Sequence, residues 1–216
     1  TGVYYSSTSL GDLDGDGDLD LVVTGEDGGA VRHLERWMNP GTGKFTGPTN
    51  FGTGVAYSSG SLGDIDGGGD LDLIVGGIDS GSVRHLERWM NPGTGAFSGP
   101  TVIGTGVSTS SPSLGDLDGD GDLDLIVTGD DPVSRRLERW MNSGTGVFSG
   151  PTNFGAGVAW PSTSLGDLDG DRDLDLVVTG RDIASSYHLE RWMNPGTGAF
   201  TGPTGIGTGR QEASPS

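Results

Sequence analysis

The run DLDGDGDLD at residues 12–20 returns three more times. Its first aspartate falls at Asp12, Asp64, Asp116 and Asp167, in steps of 52, 52 and 51 residues. The repeat extends well beyond this run. LERWMNPGTG at residues 34–43 recurs from Leu86 and Leu189, and as LERWMNSGTG from Leu137. FTGPTNFGTGV from Phe45 is answered by FSGPTVIGTGV from Phe97 and FSGPTNFGAGV from Phe148. A period near 50 residues belongs to propeller blades or solenoid units, which bury their faces against neighbouring copies of themselves. Any fold for this chain must therefore be four near-identical units stacked in series.

Each unit reads as four strands. A short strand ends at SLGD, and the aspartate-rich loop follows. LDLVVTG at residues 19–25 is a β-branched second strand. After a variable tip, VRHLERWMN at residues 31–39 is the third strand, Pro-Gly-Thr-Gly turns the chain, and residues 44–51 carry the fourth. LERWM is too short for a helix, and Pro and Gly follow it at once. Its apolar residues lie on both faces, as in a strand packed on two sides. The 43 glycines and the 31% hydrophobic content fit short strands with many tight turns, and five tryptophans oppose a disordered chain.

The expected fold is all-β: a β-propeller of four four-stranded blades, one per repeat of about 52 residues. Residues 1–210 form a single domain, with repeats at about 1–52, 53–104, 105–155 and 156–210, and residues 211–216 (QEASPS) form a disordered tail. The opening TGV and the final GTG share one repeat phase, so four nearly whole units are expected to close as one ring. Pairing with another chain into a larger ring, or a fragment or engineered origin, are the alternatives. A monomer is favoured, with a homodimer as the alternative.

Net charge of -18 argues against nucleic acid and against an anionic membrane surface. No transmembrane run or signal peptide is visible, and without cysteine no disulfide holds the chain. The acidic residues are concentrated in the loops, where 19 of the 30 reside.

Ca2+ takes six to eight oxygen ligands, and a tight loop can offer them from alternate positions. In the first repeat the ligands are Asp12, Asp14, Asp16, Asp18 and Asp20. Gly17 permits the sharp turn, and Asp18 is expected to offer its backbone oxygen with its side chain turned outward. The third repeat matches it with Asp116, Asp118, Asp120, Asp122 and Asp124. The fourth has Asp167, Asp169, Asp171, Asp173 and Asp175, with Arg172 in place of the glycine and a strained turn expected there. The second has Asp64, Asp66, Asp70 and Asp72, with Gly68 at the fifth position, where water would fill the gap. Three or four Ca2+ ions per chain are expected, bound most tightly by repeats one and three, then four, then two. The bland alternative is an acidic turn capped by backbone bonds. Magnesium fits the flexible loop less well, and zinc lacks nitrogen or sulfur ligands there.

GDLDGDGDLDLVV at residues 11–23 resembles the FG-GAP or VCBS repeats of the integrin alpha-subunit propeller and its microbial relatives. The resemblance spans all four repeats. It implies a calcium loop of pattern DxDxDGxxD between the first two strands of each blade, usually in seven blades. Phe51-Gly52 and Phe154-Gly155 match the phenylalanyl-glycyl element, which Ile103-Gly104 and Ile206-Gly207 replace. It also implies a binding or adhesion module, extracellular or at the cell surface, with a protein or glycan ligand.

Arg36, Arg88, Arg139 and Arg191 recur beside Trp37, Trp89, Trp140 and Trp192, each preceded by Glu35, Glu87, Glu138 or Glu190. A multivalent lectin could use such sets, with tryptophan stacked on the sugar. The plainer expectation is a tryptophan wedge between blades with an interblade Arg–Glu ion pair. His33, His85 and His188, with Arg136 in the third repeat, read as packing groups. Trp160 is a unique aromatic, aligned with Tyr5 and with serines near positions 58 and 110. No nucleophile elbow, HExxH or phosphate loop is present, so an enzyme is not expected. The leading reading is a calcium-stabilised binding or adhesion module. A carbohydrate-binding lectin, or a duplicated or designed scaffold binding only calcium, stands beside it.

Overall fold

A computed structural model describes residues 2–131 and 133–208; the expected tail at 211–216 lies outside them. Each repeat folds into one four-stranded antiparallel sheet whose strands lie in chain order. Sheet 1 comprises β1 (Val3–Gly11), β2 (Asp20–Asp27), β3 (Arg32–Met38) and β4 (Thr46–Asn50). Sheet 2 comprises β5 (Ala56–Gly63), β6 (Asp72–Ile78), β7 (Arg84–Met90) and β8 (Ser98–Val102). Sheet 3 comprises β9 (Ser108–Gly115), β10 (Asp124–Asp130), β11 (Arg135–Asn142) and β12 (Phe148–Asn153). Sheet 4 comprises β13 (Ala159–Gly166), β14 (Asp175–Arg181), β15 (Tyr187–Met193) and β16 (Thr201–Thr208).

The sheets pack face to face in series, with β1 against β5, β5 against β9 and β9 against β13. Strand alternation sends successive side chains to opposite faces. In β6, Leu73 and Val75 meet sheet 1, while Ile74 meets sheet 3. Three apolar cores result, one at each junction. The first joins Leu13, Val22 and Leu34 of sheet 1 to Leu73, Val75 and Trp89 of sheet 2. The tryptophans at the junctions are wedges, as the plainer expectation held. Trp89, Trp140 and Trp192 are buried, and Trp89 meets Phe51 edge-on at 5.3 Å. A Cβ at Gly52 would stand 2.5 Å from Trp89 Cζ2, so glycine after Phe51 admits the wedge.

No comparable packing joins β1 to β13 among the described residues. The four sheets form a row with two uncovered end faces, and the expected closure into a four-bladed ring is not seen.

Candidate functional site

The aspartate loops all follow the first strand of their sheet. In each, three carboxylates converge: Asp12, Asp14 and Asp20; Asp64, Asp66 and Asp72; Asp116, Asp118 and Asp124; Asp167, Asp169 and Asp175. Within each group one oxygen per residue lies within 4.8 Å of the others. The ninth-position carboxylate is buried and anchors the loop. Asp20 accepts from the Leu13 N–H at 3.0 Å and the Asn39 N–H at 2.7 Å, and its counterparts repeat this pair of bonds. The first position holds the turn from within, as Asp12 accepts from the Gly15 and Gly17 N–H groups.

The fifth- and seventh-position carboxylates stay outside these groups. Asp16 accepts from the Asp18 N–H at 2.9 Å. Asp18 lies over the neighbouring turn, where a Cβ on Gly41 would stand 2.5 Å from its Oδ2, in keeping with the outward side chain expected of it. Asp70, Asp122 and Asp173 lie likewise over Gly93, Gly144 and Gly196. Gly68 therefore removes nothing from the converging trio of repeat two. Arg172 takes φ of 82°, close to the 91° of Gly17, so the expected strain is present, while its N–H keeps the bond to Asp167 at 3.1 Å.

The trios suit a hard cation. Burial pushes Asp124 up to about 6, the charges of Asp118 and Asp120 add to this, and bonds from the Asn142 and Leu117 N–H groups oppose it. Asp64 Oδ1 is buried without a hydrogen-bond partner. A carboxylate trio with an orphaned oxygen is a donor set that a bound cation would satisfy.

Beside the tips, each histidine bridges two carboxylates. His85 Nδ1 lies 2.6 Å from Glu87 Oε1 and its Nε2 3.2 Å from Asp79 Oδ2. Arg136 replaces the histidine in sheet 3 and pairs with Asp131 and Glu138. Among the described residues, Arg36, Arg88, Arg139 and Arg191 form none of the ion pairs expected with Glu35, Glu87, Glu138 and Glu190. Glu87 faces His85 on its own strand, while Arg88 reaches the Gly146 carbonyl of the next sheet. At the three junctions Trp89, Trp140 and Trp192 are packed between sheets and offer no open sugar surface, while Trp37 is half-buried and Arg191 exposed at the two ends of the row.

An open aromatic site lies elsewhere. A hollow of about 330 Å³ is lined by one dipeptide from each sheet: Tyr5-Ser6, Tyr57-Ser58, Thr109-Ser110 and Trp160-Pro161. The first residue of each adopts positive φ: 49° at Tyr5, 51° at Tyr57, 48° at Thr109 and 46° at Trp160. Aromatic and β-branched residues rarely adopt this conformation. The strand pairing shifts register at each of these positions, and such bulges re-aim side chains. Tyr5 and Tyr57 stack at 4.0 Å, and Trp160 is 62% exposed. The partners of Trp160 are therefore Tyr57 and Thr109, not the neighbouring serines. Applying the loop spacing of 52, 52 and 51 to Tyr5 locates all four.

The FG-GAP-like repeat model matches residues 12–75 and 64–127, together more than half of the chain. The chain belongs to the FG-GAP-like repeat family. No curated protein matches its sequence. The crystal structure of BP39L lectin from Burkholderia pseudomallei is similar, with a TM-score of 0.61 at 16% identity. The match covers 95% of this chain and 56% of the lectin chain, so this chain spans little more than half of that length. This likeness is one of fold. With the family match, it describes the chain as a repeat-based all-β module. Among the described residues no helix is long and apolar enough to cross a membrane.

Proposed function

We propose that this FG-GAP-like chain is an arc of a β-propeller that binds Ca2+ in its four loops and a glycan in the shared hollow. The observation that carries the glycan reading is the set of four strained, equivalent residues around one opening. Positive φ at non-glycine residues costs about 1–2 kcal/mol each, and such strain clusters at ligand sites. The exposed aromatic faces of Tyr5 and Trp160, with the exposed Ser6 hydroxyl beside them, suit a pyranose, which has an apolar face and a polar rim. The volume fits a small ligand rather than a protein epitope, which needs a far larger surface. A sugar is therefore the better reading than a protein partner.

Calcium is the favoured ion because the loops offer only oxygen and leave room for a large coordination sphere. The first, third and ninth carboxylates would hold it, joined by the seventh-position carbonyl. Bound there, it would offset two of the trio's three negative charges and brace the loop that starts β2, β6, β10 or β14. An extracellular or cell-surface setting, where calcium is abundant, is part of this proposal.

A glycan array probed with the calcium-loaded protein tests the sugar site. Binding to a defined set of sugars is expected, lost in Tyr57→Ala and Trp160→Ala without a fall in thermal stability. Binding that survives both substitutions, or no binding at all, would remove the hollow as a sugar site. Native mass spectrometry during calcium titration tests the loops separately, and four ions are expected.

A further inference from the structure

Each junction is built from two unlike half-faces. The forward half of sheet 2 is Ile65, Ile74 and Leu86; the backward half of sheet 3 is Val107, Leu125, Val127 and Trp140. The chain carries four copies of each half and joins three pairs. The forward half left over is Leu168, Val177 and Leu189 of sheet 4. The backward half left over is Leu21, Val23 and Trp37 of sheet 1. Leu168 is 47% exposed, whereas its equivalents Leu13, Ile65 and Leu117 are each 1% exposed. Leu21, Val23 and Trp37 are only half-buried, although their equivalents Leu73, Val75 and Trp89 are buried.

The polar groups are divided in the same way. Asn91, Asn142 and Asn194 donate through Nδ2 to Leu13, Ile65 and Leu117 carbonyls of the preceding sheet. Asn39 is the fourth of the series, and its Nδ2 bonds Leu19 O of its own sheet at 3.2 Å. The acceptor that completes the series is the Leu168 carbonyl. Arg88 and Arg139 reach Gly146 and Thr197 carbonyls of the following sheet, whereas Arg191 is exposed. Gly207 has no tryptophan over it, unlike Gly52, Gly104 and Gly155.

We propose that a second copy of this chain covers both end faces. Sheet 4 of each copy packs on sheet 1 of the other, and two chains close a two-fold ring of eight sheets. The new junctions repeat an interface the chain already forms three times. A second copy supplies the missing partner of each half-face and leaves the three existing junctions as they are. One contact differs. Tyr187 stands where Arg32 and Arg135 reach carbonyls of the next sheet, so the new junction relies on its apolar, asparagine and Arg191 contacts.

Sedimentation equilibrium and native mass spectrometry of the calcium-loaded chain are the test. The expected mass is twice 22.1 kDa. Leu21→Asp and Leu189→Asp are each expected to be monomers, because each lacks one half-face. A mixture of the two regains one good junction and is expected to form a 1:1 dimer. Arg191→Glu, at an exposed position that folding of one chain does not need, is expected to weaken the dimer about a hundredfold, a factor of about ten for the charge-assisted bond lost at each of the two new junctions. A monomeric wild-type chain at its highest soluble concentration would overturn the proposal. So would a ladder of higher oligomers, or dimers that persist unchanged in both aspartate variants.

Discussion

Asn91 ties two sheets and a loop together, and removing it should weaken the first junction measurably. Its side chain is 6% exposed. Nδ2 donates to Leu13 O of sheet 1 at 2.8 Å and to Leu71 O of its own loop at 3.1 Å. Oδ1 accepts from the Thr94 N–H at 3.2 Å, which shapes the following turn. Asn91→Ala removes three hydrogen bonds, each contributing about 1 kcal/mol net, so a loss of about 3 kcal/mol is expected. For a chain of this size that lowers Tm by about 6–12 °C. Asn91→Asp keeps the acceptor toward Thr94 but turns a carboxylate toward two carbonyls, beside the acidic loop. It should therefore cost more than the alanine, despite its closer shape. Urea and thermal unfolding at fixed calcium measure both. The reasoning is refuted if Asn91→Ala costs under about 1 kcal/mol, or if Asn91→Asp proves the more stable of the two.

Three further outcomes are expected. His85 is held above its ordinary range: burial pulls it down, but the bonds from Glu87 and Asp79 outweigh this, so the stability it contributes is complete below about 6.5 and is lost as pH rises through its folded pKa. His188 is raised by Asp182 and then Glu190, so His85→Arg and His188→Arg together should flatten the fall in Tm between neutral and alkaline pH, as Arg136 already does in sheet 3. Gly155→Ala should cost about 1–3 kcal/mol in urea unfolding, because its Cβ would stand 2.5 Å from Trp192 Cη2 and the ring has no room to retreat. Trp160→Gly should raise Tm slightly by relieving the left-handed backbone while abolishing glycan binding, and a lowered Tm would contradict the strain argument.

The four units, their strands and the acidic loops after each first strand were legible because each depends on local pattern. A fixed period, strand alternation and a tight glycine turn leave little freedom. The Arg–Glu ion pair failed for a reason also present in the sequence. Glu35 and Arg36 are adjacent in a strand, so they point to opposite faces and cannot pair within one junction. Glu35 instead meets His33, two residues away, at 2.6 Å. The role of the fifth loop position was less accessible. Asp16 and Asp14 differ only in where the turn aims them, and the hydrogen bond from the Asp18 N–H holds Asp16 outside the trio. Closure was beyond the sequence altogether, since four units bound their number but not the angle at which one packs on the next.

The hollow shows most clearly why local reasoning stops where it does. A strand pattern predicts extended backbone at Tyr57 and Thr109, and nothing in their immediate neighbours signals a bulge. Their left-handed conformation runs against aromatic and β-branched preference at four equivalent places, so it cannot be a single local accident. Packing between the sheets shields it: Ser58 beside Tyr57 donates to Thr24 Oγ1 of the neighbouring sheet at 2.7 Å, holding the bulged strand from behind. A repeat that varies as Tyr, Tyr, Thr and Trp at its most strained position, while keeping the strain itself, separates two requirements. The backbone has to turn there, and the side chain it presents is free to change. That is the pattern expected of a scaffold that fixes a binding position and lets its chemistry differ from unit to unit.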